Sequence, residues 1–318
     1  MDNKYLTVDI GGTKTAIAIG FDDGSIVERQ EFKTASPDET LARVIEIGHS
    51  LLRVHNAIAV GISCGGPLSS RKGLILGPPN LPGWDHVEVV AILKEAFGLA
   101  TFLENDANAG ALAEWIYGAG KGFNNVIFLT CGTGLGAGLI LDGRLYRGRE
   151  DMAGEVGHIR MENDGPVGYF KAGSLEGFAS GSGLAQLARQ KIKQSHPASI
   201  LDHLDPQSIN AKDVGEAAIA GDALAKELVN TTGRYLGKGL AILIDILNPE
   251  CIVLGSMAVR LGDLLLRPVW EEVKKESLER SWKNCKIVSA QLAGHIGDVA
   301  ALCIAKYNLN LEISVESK

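Results

Sequence analysis

The sequence predicts an α/β protein made of two related α/β domains with a cleft between them. Three observations lead there. The stretch VDIGGTKTAIAIG, residues 8–20, is a strand pattern broken by glycines, and the device returns at 126–141 as VIFLTCGTGLGAGLIL. Each copy is followed by alternating strand and helix patterns. Between them, YGAGKG at 117–122 is a glycine-rich seam. The domains are accordingly read as 1–117 and 118–296, followed by a terminal helix over 297–318.

The elements follow in order. Residues 4–10 and 14–20 alternate as strands, and 25–33 form a third after the turn Asp22-Asp23-Gly24. Ser36-Pro37-Asp38-Glu39 has the form of a capping box with proline at the first helical position. The helix it opens carries Leu41, Val44, Ile45, Leu51 and Leu52 on one face. Ala57–Ile62 is a strand. Asp85 and Glu88 are candidate caps of a helix ending near Gly98. Ala100–Leu103 is a strand and 107–117 a helix. In the second half, 126–130, 136–141 and 144–146 read as strands, and the charged run Arg144–Glu150 as a solvated hairpin and loop. Helices are expected over 222–247 and 260–280, strands over 251–254 and 286–289, and a last helix from Asp298. The polar tail after Tyr307 is expected to fray.

Composition excludes several classes. The chain has 318 residues, 46% hydrophobic and 22% charged, an ordinary globular balance. Its net charge of −7, without any Lys/Arg run, argues against a nucleic-acid surface. No apolar run is long enough to span a bilayer, and no leader precedes the first strand, so neither a membrane nor export is expected. The cysteines Cys64, Cys131, Cys251, Cys285 and Cys303 are scattered, and four of them lie in apolar surroundings. Reduced buried thiols and a cytoplasmic location are expected.

The glycine loops point to phosphate. A G-x-x-x-x-G-K-[ST] loop is absent. Gly132-Thr133-Gly134-Leu135-Gly136-Ala137 matches G-x-G-x-x-A, but a dinucleotide fold requires a helix next, and a strand pattern follows instead. A glycine hairpin can still turn backbone N–H groups toward an anion, using positive φ and the missing Cβ. Thr13 and Thr133 add hydroxyl donors. Asp9, just before the first loop, is the candidate Mg²⁺ residue, acting through water. Lys14 pairs with a phosphate or sits in solvent, and Trp84 is read as a packing residue.

At these residues the chain resembles the ROK family of sugar kinases (glucokinase- and N-acetylhexosamine kinase-like), within the actin/hexokinase/Hsp70 superfamily. DIGGTK at 9–14 and CGTGLGAG at 131–138 resemble its two phosphate loops. LENDANAGALAE at 103–114, AGEVGHI at 153–159 and GPPNLPGW at 77–84 resemble its sugar motifs, and NPECIVLGS at 248–256 its adenosine-side turn. The motifs occur in the family's order over nearly the whole chain. The resemblance implies the actin/hexokinase/Hsp70-like ATPase fold, with duplicated ribonuclease H-like domains and the last helix returning to the first domain. It implies ATP with Mg²⁺ as cosubstrate, a sugar as acceptor and a homodimer. It places the catalytic base at Asp106 and sugar contacts at Gly66, Asn80, Asn105, Asp106, Glu155, His158 and Glu176. It places ATP contacts at Gly11, Gly12, Thr13, Lys14, Gly132, Thr133, Gly134, Gly255 and Ser256.

Two departures matter. Relatives with a zinc site carry cysteines where this chain has Val167, Tyr169 and Ser174, with Phe170 in place of a glycine. His158 alone cannot form a tetrahedral site, so no structural zinc is expected. Burial of Val167, Tyr169 and Phe170, plus a hydrogen bond from Ser174, is expected to order the segment 166–176 in its place. Nor does the sequence leave room before Asp9 for the helix-turn-helix of the family's repressors. The resulting expectation is transfer of phosphate from ATP to the 6-hydroxyl of a hexose, with glucose first. N-acetylmannosamine, N-acetylglucosamine or fructose are the alternatives, and a non-catalytic sugar sensor is the rival from another class.

Overall fold

The computed structural model describes residues 3–194, 196–292 and 296–316. Two compact units emerge: Met1–Lys121 with Leu145–Ala153 and Gly294–Lys318, and Gly122–Arg144 with Gly154–Ala293.

In the first unit, β1 (Lys4–Ile10) and β2 (Lys14–Phe21) form the hairpin that carries the first glycine loop, and β3 (Ile26–Lys33) extends it. Helix α1 (Pro37–Val54) begins at Ser36, whose hydroxyl accepts the Glu39 N–H at 3.4 Å. Thr40, Leu41, Val44, Ile47, Gly48 and Leu51 form its buried face, while Ile45 and Leu52 lie at the margin. Each large apolar side chain so buried stabilises the fold by about 1.5–3 kcal/mol. β4 (Ala57–Cys64) is followed by the short hairpin β5 (Leu68–Ser69) and β6 (Leu74–Ile75), then α2 (Val89–Phe97). Glu88 occupies the position before α2, but its side chain caps nothing, and Asp85 lies in an exposed loop beside His86; the expected carboxylate cap is not made. β7 (Ala100–Asn105) leads directly into α3 (Asp106–Ile116). The sheet order is β3-β2-β1-β4-β7, with β1, β4 and β7 parallel. One face packs Leu6, Val8, Ile10, Ile17 and Ile62 with α1, α2 and the buried Trp84.

The second unit repeats this order. β8 (Val126–Leu129), β9 (Ala137–Leu141) and β10 (Arg144–Leu145) form the hairpin side. After the small hairpin β11 (Val167–Gly168) and β12 (Lys171–Ala172) come α4 (Leu175–Ala179), α5 (Gly181–Lys191), α6 (Ala211–Ile219) and α7 (Ala223–Leu247). β13 (Cys251–Leu254) is buried throughout. The single helix expected over 260–280 is instead α8 (Met257–Leu261), α9 (Asp263–Glu276) and α10 (Glu279–Trp282). Gly262, at φ 50° and ψ −128°, breaks the first two apart. β14 (Lys286–Ser289) completes the sheet β10-β9-β8-β13-β14, the same order as in the first unit. α11 (Ile296–Glu316) then packs on α3, β1 and β4, covering the second face of the first sheet with Leu302 and Ala305 against Tyr5 and Ala59. Lys306 on α11 donates to the Asp22 carbonyl at 2.7 Å and meets the Tyr117 hydroxyl at 2.9 Å. The tail after Tyr307 is helical to Glu316 rather than frayed; residues 317 and 318 lie outside the described residues. All five cysteines are free and buried, and among the described residues no helix is long and apolar enough to cross a membrane.

Two other expectations are corrected. The run Arg144–Glu150 is only partly solvated: Arg149 and Glu150 are exposed, but Arg147 turns inward to the buried Glu104. The segment 166–176 is not ordered by aromatic burial either. Phe170 is 91% exposed, and Val167 and Tyr169 are about half exposed. Backbone bonds take over that work. Gln186 both donates to and accepts from the Val167 backbone, Arg160 donates to the Glu162 and Ala172 carbonyls, and Ser174 is fully buried, its hydroxyl accepting the Gly177 N–H at 3.1 Å. Tyr169 and Phe170 form the two-residue turn between β11 and β12 with φ of 38° and 63°. Each left-handed L-residue costs about 1–2 kcal/mol. Replacing Tyr169→Asn and Phe170→Gly together, the natural chemistry of such a turn, is therefore expected to raise stability by roughly 1–3 kcal/mol, as checked by urea unfolding. A lower midpoint would mean that the aromatic tip itself holds the hairpin.

Candidate active site

In the first unit, strand register gathers the expected residues. Parallel pairing aligns Asp9 with Ser63 and Ser63 with Glu104, then Ile10 with Cys64 and Cys64 with Asn105. The three strands therefore stop at one edge, where ligands of parallel α/β sheets bind. Loop 1 (residues 11–13), Gly65-Gly66 and Asn105-Asp106 all leave from it; loop 2 is the counterpart at 130–136 in the second unit. Asn105 caps α3, accepting the Ala107 N–H at 2.9 Å and the Asn108 N–H at 3.4 Å. Gly66 lies against Asn105, since a Cβ there would meet Nδ2 at 3.1 Å. Asn80 lies on loop 1: a Cβ at Gly12 would stand 2.4 Å from the Asn80 carbonyl oxygen, so only glycine permits this approach. The loop is held from behind, with the Thr34 N–H donating to the Thr13 carbonyl at 3.0 Å and its hydroxyl to the Gly11 carbonyl at 2.7 Å. Lys14 extends outward, two-thirds exposed, and pairs with Glu31 at 2.5 Å.

Two carboxylates at this edge are perturbed. Burial pushes Asp9 up to about 6; Asp298 adds to the rise, the Ser63 hydroxyl opposes it, Asp106 adds further and Arg29 opposes. Asp298 is itself tied to Arg29 at 2.7 Å. Asp106 reaches the surface at the edge, but the protein packed behind it removes water and raises its pKa above the usual carboxylate range; the Ala107 N–H and its own N–H pull it partly back.

The second unit gathers a second set around loop 2. The Thr130 N–H donates to the Gly136 carbonyl and the Gly132 N–H to that of Gly134, and Met257 and Gly181 donate into the loop from outside. Ser256, at φ 41°, and Gly255 thus lie at the loop's base, where a Cβ at Gly132 would meet Ser256 Oγ at 3.4 Å. Glu176 accepts the Leu135 N–H at 2.9 Å. The turn carrying Glu155 and His158 rests on the same loop, where a Cβ at Gly157 would stand 2.3 Å from the Leu135 carbonyl oxygen. Both side chains are exposed, and the His158 ring meets Tyr169 edge to face at 6.3 Å. The expected positive φ in the loops is not found: Gly11, Gly12, Gly132 and Gly134 all lie outside the left-handed region. Their contribution is room. A Cβ at Gly134 would meet Glu176 Oε2 at 2.9 Å.

The ROK family profile matches residues 5–307. The chain belongs to the ROK family. This ROK protein is 33% identical to the glucokinase of Streptomyces coelicolor over 306 residues, covering 94% of this chain and 96% of that one. It is also 33% identical to the N-acetylmannosamine kinase of Escherichia coli over 266 residues, with 82% and 86% covered. Its fold matches a ROK glucokinase from Streptomyces griseus in complex with glucose and AMPPNP, with a TM-score of 0.80, 31% identity and coverage of 96% and 100%. The actin/hexokinase-like ATPase fold is thereby established for this chain.

At the positions of the family's cysteines, Val167 and Tyr169 supply no metal donor and Ser174 is spent on its cap. Among the described residues no group of three or more His, Cys, Asp or Glu side chains is arranged for a metal. The motifs missed Ser63, Arg29, Asp298, Arg147 and the backbone partner of Glu176. All are distant in sequence from what they touch, which leaves no local signal.

The Asp9 carboxyl gives a prediction with a definite sign. Its native pKa, about 6, lies above the ordinary 3.8, so the native state holds the extra proton between those values and loses stability as pH rises through them. In metal-free protein, Asp9→Asn is expected to raise stability at pH 7.5 by roughly 2–3 kcal/mol and to change it little near pH 3.5. Denaturant titrations at the two pH values test this, and an equal effect at both would remove the charge from the explanation.

Proposed function

We propose that this ROK protein transfers the γ-phosphoryl group of ATP to the 6-hydroxyl of a hexose, with glucose as first substrate. The coarser reading, an ATP-dependent sugar kinase, is carried by family membership and by the glucokinase relatives. The observation that carries the finer one is Asp106: a partly desolvated carboxylate at the strand edge, one residue after Asn105, which itself lies against Gly66. In this role Asp106 accepts the proton of the sugar hydroxyl as the oxygen attacks the γ-phosphorus, and ADP departs with the bridging electrons. Asn105, Gly66, Asn80, Glu155, His158 and Glu176 are the sugar contacts of this reading. The N–H groups of Gly11–Thr13 and Gly132–Gly134, with the two threonine hydroxyls, receive the phosphates. Gly255-Ser256 takes the adenosine side. Lys14, held by Glu31, reaches phosphate only by leaving that partner.

The donor set fits Mg²⁺. Asp9 is a half-buried carboxylate facing the like charges of Asp298 and Asp106, an environment a hard cation relieves. Asp9 would hold the ion through water, and the ion would neutralise charge on the β- and γ-phosphates. The similarity to an N-acetylmannosamine kinase keeps N-acetylhexosamines as the second reading.

A panel of glucose, N-acetylmannosamine, N-acetylglucosamine and fructose with ATP, followed by ADP release, decides among substrates; no turnover on any of them defeats the kinase reading in favour of a sugar sensor. Asp106→Asn is expected to lower kcat by about 10²–10⁴-fold while sugar still binds by calorimetry. Because Asp106 acts deprotonated and its pKa is raised, the acid limb of the wild-type rate should lie above the usual carboxylate range. His158→Ala is expected to raise the KM for sugar and leave that for ATP unchanged; the reverse pattern would exchange the two sets of contacts.

A further inference from the structure

Glu104 is fully buried, yet neither the phosphate loops nor the sugar contacts use it. Its carboxylate is saturated. Oε2 receives the Arg147 Nε–H at 2.5 Å. Oε1 receives the Ser70 hydroxyl at 2.9 Å, the Asn108 side-chain amide at 3.0 Å and the Asn105 N–H at 3.1 Å. Two of these donors, Asn105 and Asn108, flank Asp106 across the first turn of α3. The carboxylate therefore pins the strand-to-helix turn that delivers the candidate base.

Arg147 arrives from far along the chain, on the segment 145–153, and is itself fixed. Its Nη2 donates to Asn308 on α11 at 3.1 Å, and its carbonyl accepts the Ala153 N–H at 3.1 Å. The segment is anchored on both sides of it: the Tyr307 hydroxyl accepts the Leu145 N–H at 3.0 Å, Arg71 donates to the Gly148 carbonyl at 2.6 Å, and the Ser69 hydroxyl donates to Asp151 at 3.0 Å. A cavity of about 530 Å³, lined in part by Ser70, Leu103 and Arg147, lies alongside the arginine. A buried charge that loses its partner is strongly destabilised, because nothing else replaces the lost hydration.

We propose that Glu104 and Arg147 form a buried positioning pair that sets the place of Asp106, a role that rests on the kinase reading above. Neither residue touches substrate in this account. Arg147 pairs with the Glu104 carboxylate and fixes its place, and Glu104 holds the backbone and side chains on either side of the base. A displacement of about 1 Å at a reacting group can cost on the order of 10²-fold in rate, so the pair acts on kcat rather than on binding.

The test compares wild type with Arg147→Ala, Arg147→Lys, Glu104→Gln and the double variant. Arg147→Ala is expected to lower kcat by about 10–100-fold with KM for sugar and ATP within about threefold. Arg147→Lys should recover only part of it, since an ammonium restores charge but not the planar fork. In the Glu104→Gln background, Arg147→Ala should have little further effect, because the charge needing a partner is gone. The cavity allows chemical rescue: millimolar methylguanidinium should restore turnover to Arg147→Ala, while the same concentration of methylurea should not. Amide hydrogen exchange supplies a readout that needs no turnover: residues 105–108 should exchange faster in Arg147→Ala while β1 and β4 keep their protection. Unchanged kcat in folded Arg147→Ala overturns the pair's role. So does a loss that guanidinium never repairs and that accompanies faster exchange throughout the first unit, for then Arg147 only holds the fold. If wild type phosphorylates no sugar, the kinase reading fails by itself, and the exchange experiment still decides whether the pair orders the turn.

Discussion

Three parallel strands that end in register are the constraint on which the candidate site depends. The pairing of β1 with β4 and of β4 with β7 places Ile10, Cys64 and Asn105 side by side, so the loops after them open at one edge. Slipping one strand by a single residue would turn its apolar side chains the wrong way in a sheet buried on both faces. Core packing thus fixes the register, and the register fixes where Asp9, Gly66 and Asp106 emerge. The second unit repeats the strand order, and loop 2 leaves its first strand as loop 1 leaves β1.

Close approach is the second theme. Asn80 lies on Gly12, and Gly157 lies on the Leu135 carbonyl, at distances no side chain would tolerate. These contacts explain the glycines better than backbone angle does, because the loop glycines keep negative or extended φ. The same tightness links the second unit's expected sites: Glu176 accepts a backbone N–H of loop 2, so a residue expected to meet sugar also shapes a loop expected to meet phosphate. Where strain does occur it is elsewhere, at Ser256 beside loop 2 and at the exposed Tyr169-Phe170 turn.

Charge is arranged unevenly at the strand edge. Asp298 and Asp106 both repel Asp9, with Arg29 opposing them, whereas Glu104, which the strand register aligns with Ser63 and Asp9, is compensated by Arg147. The first group is left with negative charge that a bound cation would relieve, and the second is neutralised from within the protein. A carboxylate meant to react or to hold a metal must remain available, while one that holds a turn in place must be fully satisfied.

The sequence by itself determined the class of fold, the two glycine hairpins, the helix cap at Ser36, the packing role of Trp84 and the family. These are encoded locally: alternation, glycine position, proline at a helix start and short motifs each act within a few residues. Only the tertiary structure decided that Arg147 turns inward although its neighbours are charged and exposed, because the partner that draws it in is 43 residues away in sequence. It also decided that the segment 166–176 rests on bonds from Gln186 and Arg160 to its backbone, beside the Ser174 bond the sequence suggested, rather than on its aromatics. An apolar side chain signals a wish for burial, but whether a surface exists to bury it is settled by elements far along the chain. Phe170, at a hairpin tip where Tyr169 is its one ring neighbour among the described residues, stays in water for that reason.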